Sequence, residues 1–418
     1  MTATDAPTRI HQPGDEIDVP PLHRRSRALR VAWGAAAFAV AAALAGFVYQ
    51  HAASAVDDSN HPPPGERIEV GDHRLHLLCQ GSGSPTVVLE SGLGGFSQEW
   101  SHLQPDIATT TRVCAYDRAG YGWSDSVDEP KTSVENADDL HTLLANGGET
   151  GPFLLVGHSL GGLHVRTFAL RYPDDAAGLV LLDSSHEQQT TRLAMLTPLE
   201  DAQLDGLSMC RRLAPLGLPR LLDLNDGAVP STLPISAETR AAWVSRLNQT
   251  RFCATVRDEF VAARAETSRA TPPPGLGDLP LTVLTSGRDP FAEQEPVDGV
   301  TEEDLDDATR IAAELQAELA ELSTESTHRV IAGAGHYIHW DQPAEVVDVI
   351  NDAIIRWRQD DPVEATSDVD IPRPPSLVVG RGLDRVVLPP ADDRIVDDVH
   401  DLGWLVPMDV VTGSGDDP

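Results

Sequence analysis

Residues Leu154–Leu163 read Leu-Leu-Val-Gly-His-Ser-Leu-Gly-Gly-Leu, and the fold is decided by how this stretch is read. The apolar run Phe153–Val156 has the length of a buried strand. Gly157-His158-Ser159-Leu160-Gly161 interrupts it, and apolar residues at Leu163, Val165, Phe168 and Leu170 then mark a helix. A serine with glycine two positions before and after it, set between a strand and a helix, has a mechanical meaning. The glycines let backbone pass close by while the serine takes a strained turn conformation. The turn lifts the Ser159 hydroxyl clear of the sheet, and the helix N-terminus aims its first N–H groups at the same point. A nucleophile and half of an anion site are built together; a plain strand–helix turn is the competing reading.

Outward from this point the chain alternates. Arg67–Val70 and His73–Cys79 flank Gly71-Asp72, a hairpin signal. Thr86–Glu90, Arg112–Tyr116, Gly178–Leu182, Leu281–Thr285 and Arg329–Ile331 are further strand-like runs. Helical patterns cover Val134–Leu144, Leu160–Tyr172, Glu302–Leu322 and Ala344–Arg358. Continuous apolar strands separated by helices predict an α/β fold with a mostly parallel, doubly covered, eight-stranded sheet. Between His186 and Asp278 the alternation stops. Pro198–Leu213, Ala237–Leu247 and Phe252–Glu266 read as helices with no strand between them, so residues 186–278 are expected to form a helical lid inserted after strand 6.

The 418 residues are 41% hydrophobic, enough for one large core, and carry a formal net charge of −34 with Lys131 as the only lysine. Such acidity excludes nucleic acid and disfavours anionic headgroups as partners. Four widely spaced cysteines (Cys79, Cys114, Cys210, Cys253) form no metal-type cluster. They fit either two disulfides outside the cytoplasm or four buried thiols.

The ends differ from the middle. Residues 1–30 read as a disordered cytoplasmic segment closing with Arg24, Arg25, Arg27 and Arg30. Residues 31–50 read as a transmembrane helix or a signal core, because Val31–Tyr49 is apolar over a bilayer's thickness. Arginines before it and Asp57 and Asp58 after it leave the N-terminus cytoplasmic and export the rest of the chain. Ala53-Ser54-Ala55 resembles a cleavage site, so three readings stay open: an uncleaved anchor, a cleaved signal with a secreted product, and a soluble buried helix. Residues 51–66 read as a linker, 67–358 as the folded domain, and 359–418 as an acidic, proline-containing disordered tail.

A serine hydroxyl needs a base, and the base needs a group to orient it. In a parallel sheet these gather at the carboxyl ends of strands. His336 follows Arg329–Ile331 through Ala332-Gly333-Ala334-Gly335 and is the expected base. Asp289 follows Leu281–Thr285 and is the expected acid, with Asp183, at the end of Gly178–Leu182, as the alternative. The order serine, acid, histidine suits this sheet type. The backbone N–H groups of Leu160 and of Leu93, in Ser91-Gly92-Leu93-Gly94, are the expected oxyanion donors. The glycines here do not form G-x-G-x-x-G, and His336 with His339 lacks H-E-x-x-H and a third ligand, so neither cofactor nor metal is expected.

Four segments together resemble the α/β-hydrolase superfamily in its lidded serine form. They are Gly157–Gly162, Asp-Arg-Ala-Gly-Tyr-Gly-Trp-Ser at 117–124, Gly287-Arg288-Asp289, and Gly335-His336 followed by Asp341 and Pro343. Many relatives carry His-Gly where this chain has Ser91-Gly92. The resemblance implies a hydrolase of an ester or related acyl bond acting through an acyl-enzyme on a small, apolar acyl substrate. Acyl transfer or cofactor-free perhydrolysis on the same triad is the alternative, and a non-catalytic binding protein the third. Serine at the elbow argues against the branches that use aspartate there, the epoxide hydrolases and haloalkane dehalogenases. In the resembled fold Cys79 and Cys114 lie on neighbouring strands, while Cys210 and Cys253 both fall in the lid.

Overall fold

A computed structural model of the chain describes residues 22–268, 272–291 and 297–360. One sheet organises it: β1 (Glu66–Val70), β2 (His73–Gln80), β3 (Thr86–Glu90), β4 (Val113–Asp117), β5 (Phe153–His158), β6 (Ala176–Leu182), β7 (Leu281–Ser286) and β8 (Ser326–Ile331). The spatial order is β1-β2-β4-β3-β5-β6-β7-β8. The β1–β2 and β2–β4 pairs are antiparallel and the rest are parallel. The exchange of β3 and β4 places β5 mid-sheet, where both faces are covered.

Side chains alternate between two cores, as the pleat requires. Val88, Leu155, Leu179, Leu181 and Val283 face one core, with Leu140 and Leu143 of helix α2 (Ser133–Asn146) and Phe168 of α3 (Leu160–Arg171). Val87, Leu89, Leu154, Val156, Val180 and Leu182 face the other, with Ile350 and Ile354 from the chain's last described helix, Pro343–Asp360. The strand β8 is an edge strand, exposed at five of its six residues. Its polar start, Ser326–His328, therefore carries no apolar signal, and the sequence marks it only from Arg329.

Between β6 and β7 the described residues form helices and loops with one isolated bridge, Gly277 to Ser323, and the principal elements are α4 (Thr197–Leu213), α5 (Ala237–Leu247) and α6 (Phe252–Glu266). This is the helical insertion expected after strand 6. Its apolar residues, including Val229, Trp243, Leu247, Phe252 and Val256, share one cluster with Phe96, Tyr121 and Trp123 from loops of the sheet. A disulfide joins Cys210 of α4 to Cys253 of α6. A second joins Cys79 to Cys114, directly opposite each other on β2 and β4. Beyond β7 comes α7 (Glu302–Ala320), begun by a capping box between Thr301 and Asp304.

Two expectations at the N-terminus are corrected. Helix α1 runs unbroken from Leu22 to Asn60, taking in residues expected to be disordered (22–30) and to form a linker (51–60). The reason is local: from Phe47 to Asn60 no glycine or proline occurs, three alanines do, and only Pro62-Pro63-Pro64 forbids continuation. The expected segments at 1–21 and 361–418 lie outside the described residues.

Candidate active site

The strand β5 ends at His158, α3 starts at Leu160, and Ser159 between them has φ 52° and ψ −122°. For a residue with a Cβ this conformation costs about 1–3 kcal/mol and persists only where its surroundings enforce it. Here the Ser159 N–H donates to Leu182 O at 3.0 Å, and Ser159 O accepts from Gly162 and Ser185 N–H at 3.0 and 2.9 Å. Close packing explains Gly161: a Cβ there would stand 2.5 Å from Glu90 O and 2.6 Å from Ser91 O. On the other side, a Cβ on Gly92 would lie 3.1 Å from Ser159 Cβ. The Gly92–Leu93 loop therefore sits against the serine.

His336 lies on the loop after β8, turned at Gly333 (φ 76°) and held by Asp341, which accepts from Gly335 N–H at 2.6 Å. Its Nδ1 is 2.7 Å from Asp183 Oδ2. Asp183 is itself at positive φ (42°); its N–H donates to Leu284 O, and its Oδ1 accepts from Ser286 N–H at 3.1 Å. The expectation of Asp289 at this place is corrected. Its Oδ1 accepts from Phe291 N–H (2.9 Å) and from the Thr309 hydroxyl of α7 (2.7 Å). The loop after β7 is fastened to the histidine loop two residues earlier, where Gly287 and Arg288 N–H both donate to Ala334 O. What the end of β7 supplies to the Asp183–His336 pair is the Ser286 amide.

The expected oxyanion donors flank Ser159. Leu160 is the first residue of α3, so its N–H has no acceptor within its own helix. The Leu93 N–H is oriented by a residue to which the sequence assigned no role. Arg118, buried, donates to Ser91 O at 2.7 Å and to Gly92 O at 2.8 Å. Peptide planarity then turns the Leu93 N–H away from Arg118. The same guanidinium pairs with Glu90 and with Glu259 of α6, each at 2.7 Å. Burial disfavours its charge, but the two carboxylates outweigh burial and hold its pKa well above the ordinary value. Arg118 thus ties the lid to the Gly92–Leu93 loop. The clue was its place in the 117–124 segment; its partners were not legible.

Behind the serine lies a buried cluster. Glu99 Oε1 is 2.8 Å from His158 Nδ1 and 3.0 Å from His339 Nε2. Burial pushes the Glu99 carboxyl up, yet the two histidines outweigh it and hold it below the usual range. Burial, reinforced by the charge of His158, lowers His339 to about 3. His158 Nε2 meets His336 O at 3.1 Å, so the cluster props the backbone of the histidine loop. His158 was expected only to fill space under the elbow, and His339 to pack on Trp340. The His339 ring packs edge-on against Trp340 at 5.6 Å and stacks on Trp100 at 4.6 Å. These three side chains could offer donors to a metal, but Glu99 already stands at hydrogen-bond distance from both rings.

Ser159, His336, Asp183, Leu93 and Leu160 border one cavity of about 610 Å³, walled on the lid side by residues such as Leu193, Trp243, Leu247 and Phe260. Asp289 borders it too.

The family model described as Alpha/beta hydrolase family matches residues 87–349. The chain belongs to the alpha/beta hydrolase family. An AB hydrolase superfamily protein of Gibberella zeae is 30% identical over 128 residues, 30% of this chain and 39% of that protein. The uncharacterized protein YqjL of Bacillus subtilis is 35% identical over 104 residues, 25% of this chain and 41% of that protein. The chain thus spans less than half the length of these curated relatives. A mutant of an epoxide hydrolase from Bacillus megaterium superposes with a TM-score of 0.51 at 18% identity, over 69% of this chain and 100% of that one. This last likeness is one of fold alone.

Proposed function

We propose that this alpha/beta hydrolase is a serine hydrolase that cleaves an ester or related acyl bond through an acyl-enzyme. The observation that carries the reading is the strained Ser159 bordering the same cavity as a His336 whose Nδ1 is fixed 2.7 Å from Asp183. Ser159 Oγ adds to the acyl carbon while its proton passes to His336 Nε2. Asp183 holds the ring by Nδ1–H and stabilises the imidazolium. The oxyanion accepts from Leu160 and Leu93 N–H. Collapse expels the alcohol, which takes the proton from His336, and water repeats the sequence to release the acid. Aspartate-nucleophile chemistry, as in epoxide hydrolases, is disfavoured because position 159 is serine.

We further read α1 as an uncleaved membrane anchor. Its apolar residues are exposed on the folded protein, with Phe38 76% and Trp33 71% accessible, which disfavours a soluble core helix. Cleavage after Ala55 would remove Gln50, which is buried against the lid and donates to Asn248 O at 2.7 Å. The catalytic domain is then extracytoplasmic, which also suits two disulfides.

The full-length protein in detergent should be labelled covalently at Ser159 by a fluorophosphonate probe, located by peptide mass mapping, and Ser159→Ala should abolish the label. A folded protein that takes no label would move the non-catalytic reading to the front.

A further inference from the structure

The anchor and the lid are one body. The backbone of α1 at Gly46 comes so close to the lid that a Cβ there would stand 2.4 Å from Leu216 O. A turn later, Gln50 bonds Asn248 O, and its Oε1 accepts from Arg220 at 3.2 Å. Further up, Asp57 pairs with Arg220 at 2.6 Å and Asp58 with Arg246 at 2.8 Å. Arg246 belongs to α5, whose Trp243 and Leu247 wall the cavity. One helix therefore separates the cavity from the anchor.

These contacts fix the height of the lid. The apolar part of α1, Val31–Tyr49, is about 28 Å long at 1.5 Å per residue, a hydrocarbon thickness. Gly46 lies inside that apolar stretch, so Leu216 meets α1 at its outer edge. Five to eight positions after Leu216 come Leu221, Leu222 and Leu224, which are 58%, 64% and 41% exposed, with the exposed Asp223 between them. Three exposed leucines within four positions form an unusual surface for a chain this acidic.

We infer that the lid of this protein lies on the bilayer, with Leu221, Leu222 and Leu224 docked into the outer leaflet beside α1. The occupant of this apolar surface is lipid because α1 holds it at the depth where the hydrocarbon begins. The inference rests on the reading of α1 as an anchor. The chain's net charge of −34 makes a zwitterionic surface the fitting one.

The test uses the full chain reconstituted into phosphatidylcholine vesicles. All four native cysteines are paired, so an introduced thiol is the only one to label. Leu222→Cys and, separately, Leu221→Cys would carry an environment-sensitive fluorophore. Glu325→Cys is the control, exposed at the amino end of β8, the end of the sheet opposite the cavity. Vesicles with and without lipids spin-labelled high on the acyl chain give the quenching, and flotation gives the bound fraction. The expected result is flotation with quenching at 221 and 222 roughly threefold or more above that at 325. Flotation with no such excess overturns the docking of the lid and leaves the anchor standing. Failure to float overturns both. Neither readout depends on turnover.

Discussion

Asp183 and Asp289 leave the carboxyl ends of neighbouring parallel strands and border one cavity, yet only Asp183 contacts His336. If that contact orients the base, Asp183→Asn should lower kcat about 10³–10⁴-fold, because the carboxamide presents the wrong partner to Nδ1. Asp289→Asn should stay within about threefold of wild type, steady-state hydrolysis of a soluble ester deciding between them. A second residue-scale effect concerns His339, which titrates near 3 in the folded protein against an ordinary 6.5. As pH falls below about 6.5 the unfolded chain takes up this proton first, so stability declines by up to about 1.4 kcal/mol per pH unit. Glu99, with its lowered carboxyl pKa, adds a loss of the same sign below its ordinary 4.5. Thermal midpoints measured from about pH 7.5 down to about pH 5 should therefore fall in the wild type and fall less steeply in His339→Gln.

At the scale of elements, Arg118 joins β3, the Gly92–Leu93 loop and α6. Replacing it by Met leaves Glu90 and Glu259 buried without their shared partner, which should destabilise the protein by about 3–5 kcal/mol. Lys in its place keeps the charge but cannot reach two carboxylates and two carbonyls at once, so it should rescue folding more than turnover. Chemical denaturation and kcat on the same ester separate the two effects. Elements whose signals are local were legible in the sequence: α5 and α6 have the bounds the apolar spacing gives, and strand positions agree except at the one-sided edge strand β8. The pairing of Arg118 with Glu259, 141 residues apart, has no local signature.

For the whole molecule, α1 is packed into the fold through the lid. A chain lacking residues 1–60 loses Gln50, Asp57 and Asp58, leaving Arg220 and Arg246, both largely buried, without those partners. Its thermal stability should drop by roughly 1–3 kcal/mol relative to a chain lacking only residues 1–40, which keeps these contacts. Equal stability of the two would mean that the lid holds together without the helix.

By itself the sequence determined the sheet, the inserted helices, the Ser159 elbow and the histidine loop. Each depends on conformations that neighbouring residues impose: apolar period, chain-breaking prolines, and glycines where backbones touch. Only the tertiary structure decided which aspartate meets His336, what Arg118 holds, and that α1 is fastened to the lid. Those are partnerships between distant side chains, set by the order of strands and the packing of the lid, and no short stretch of chain encodes them.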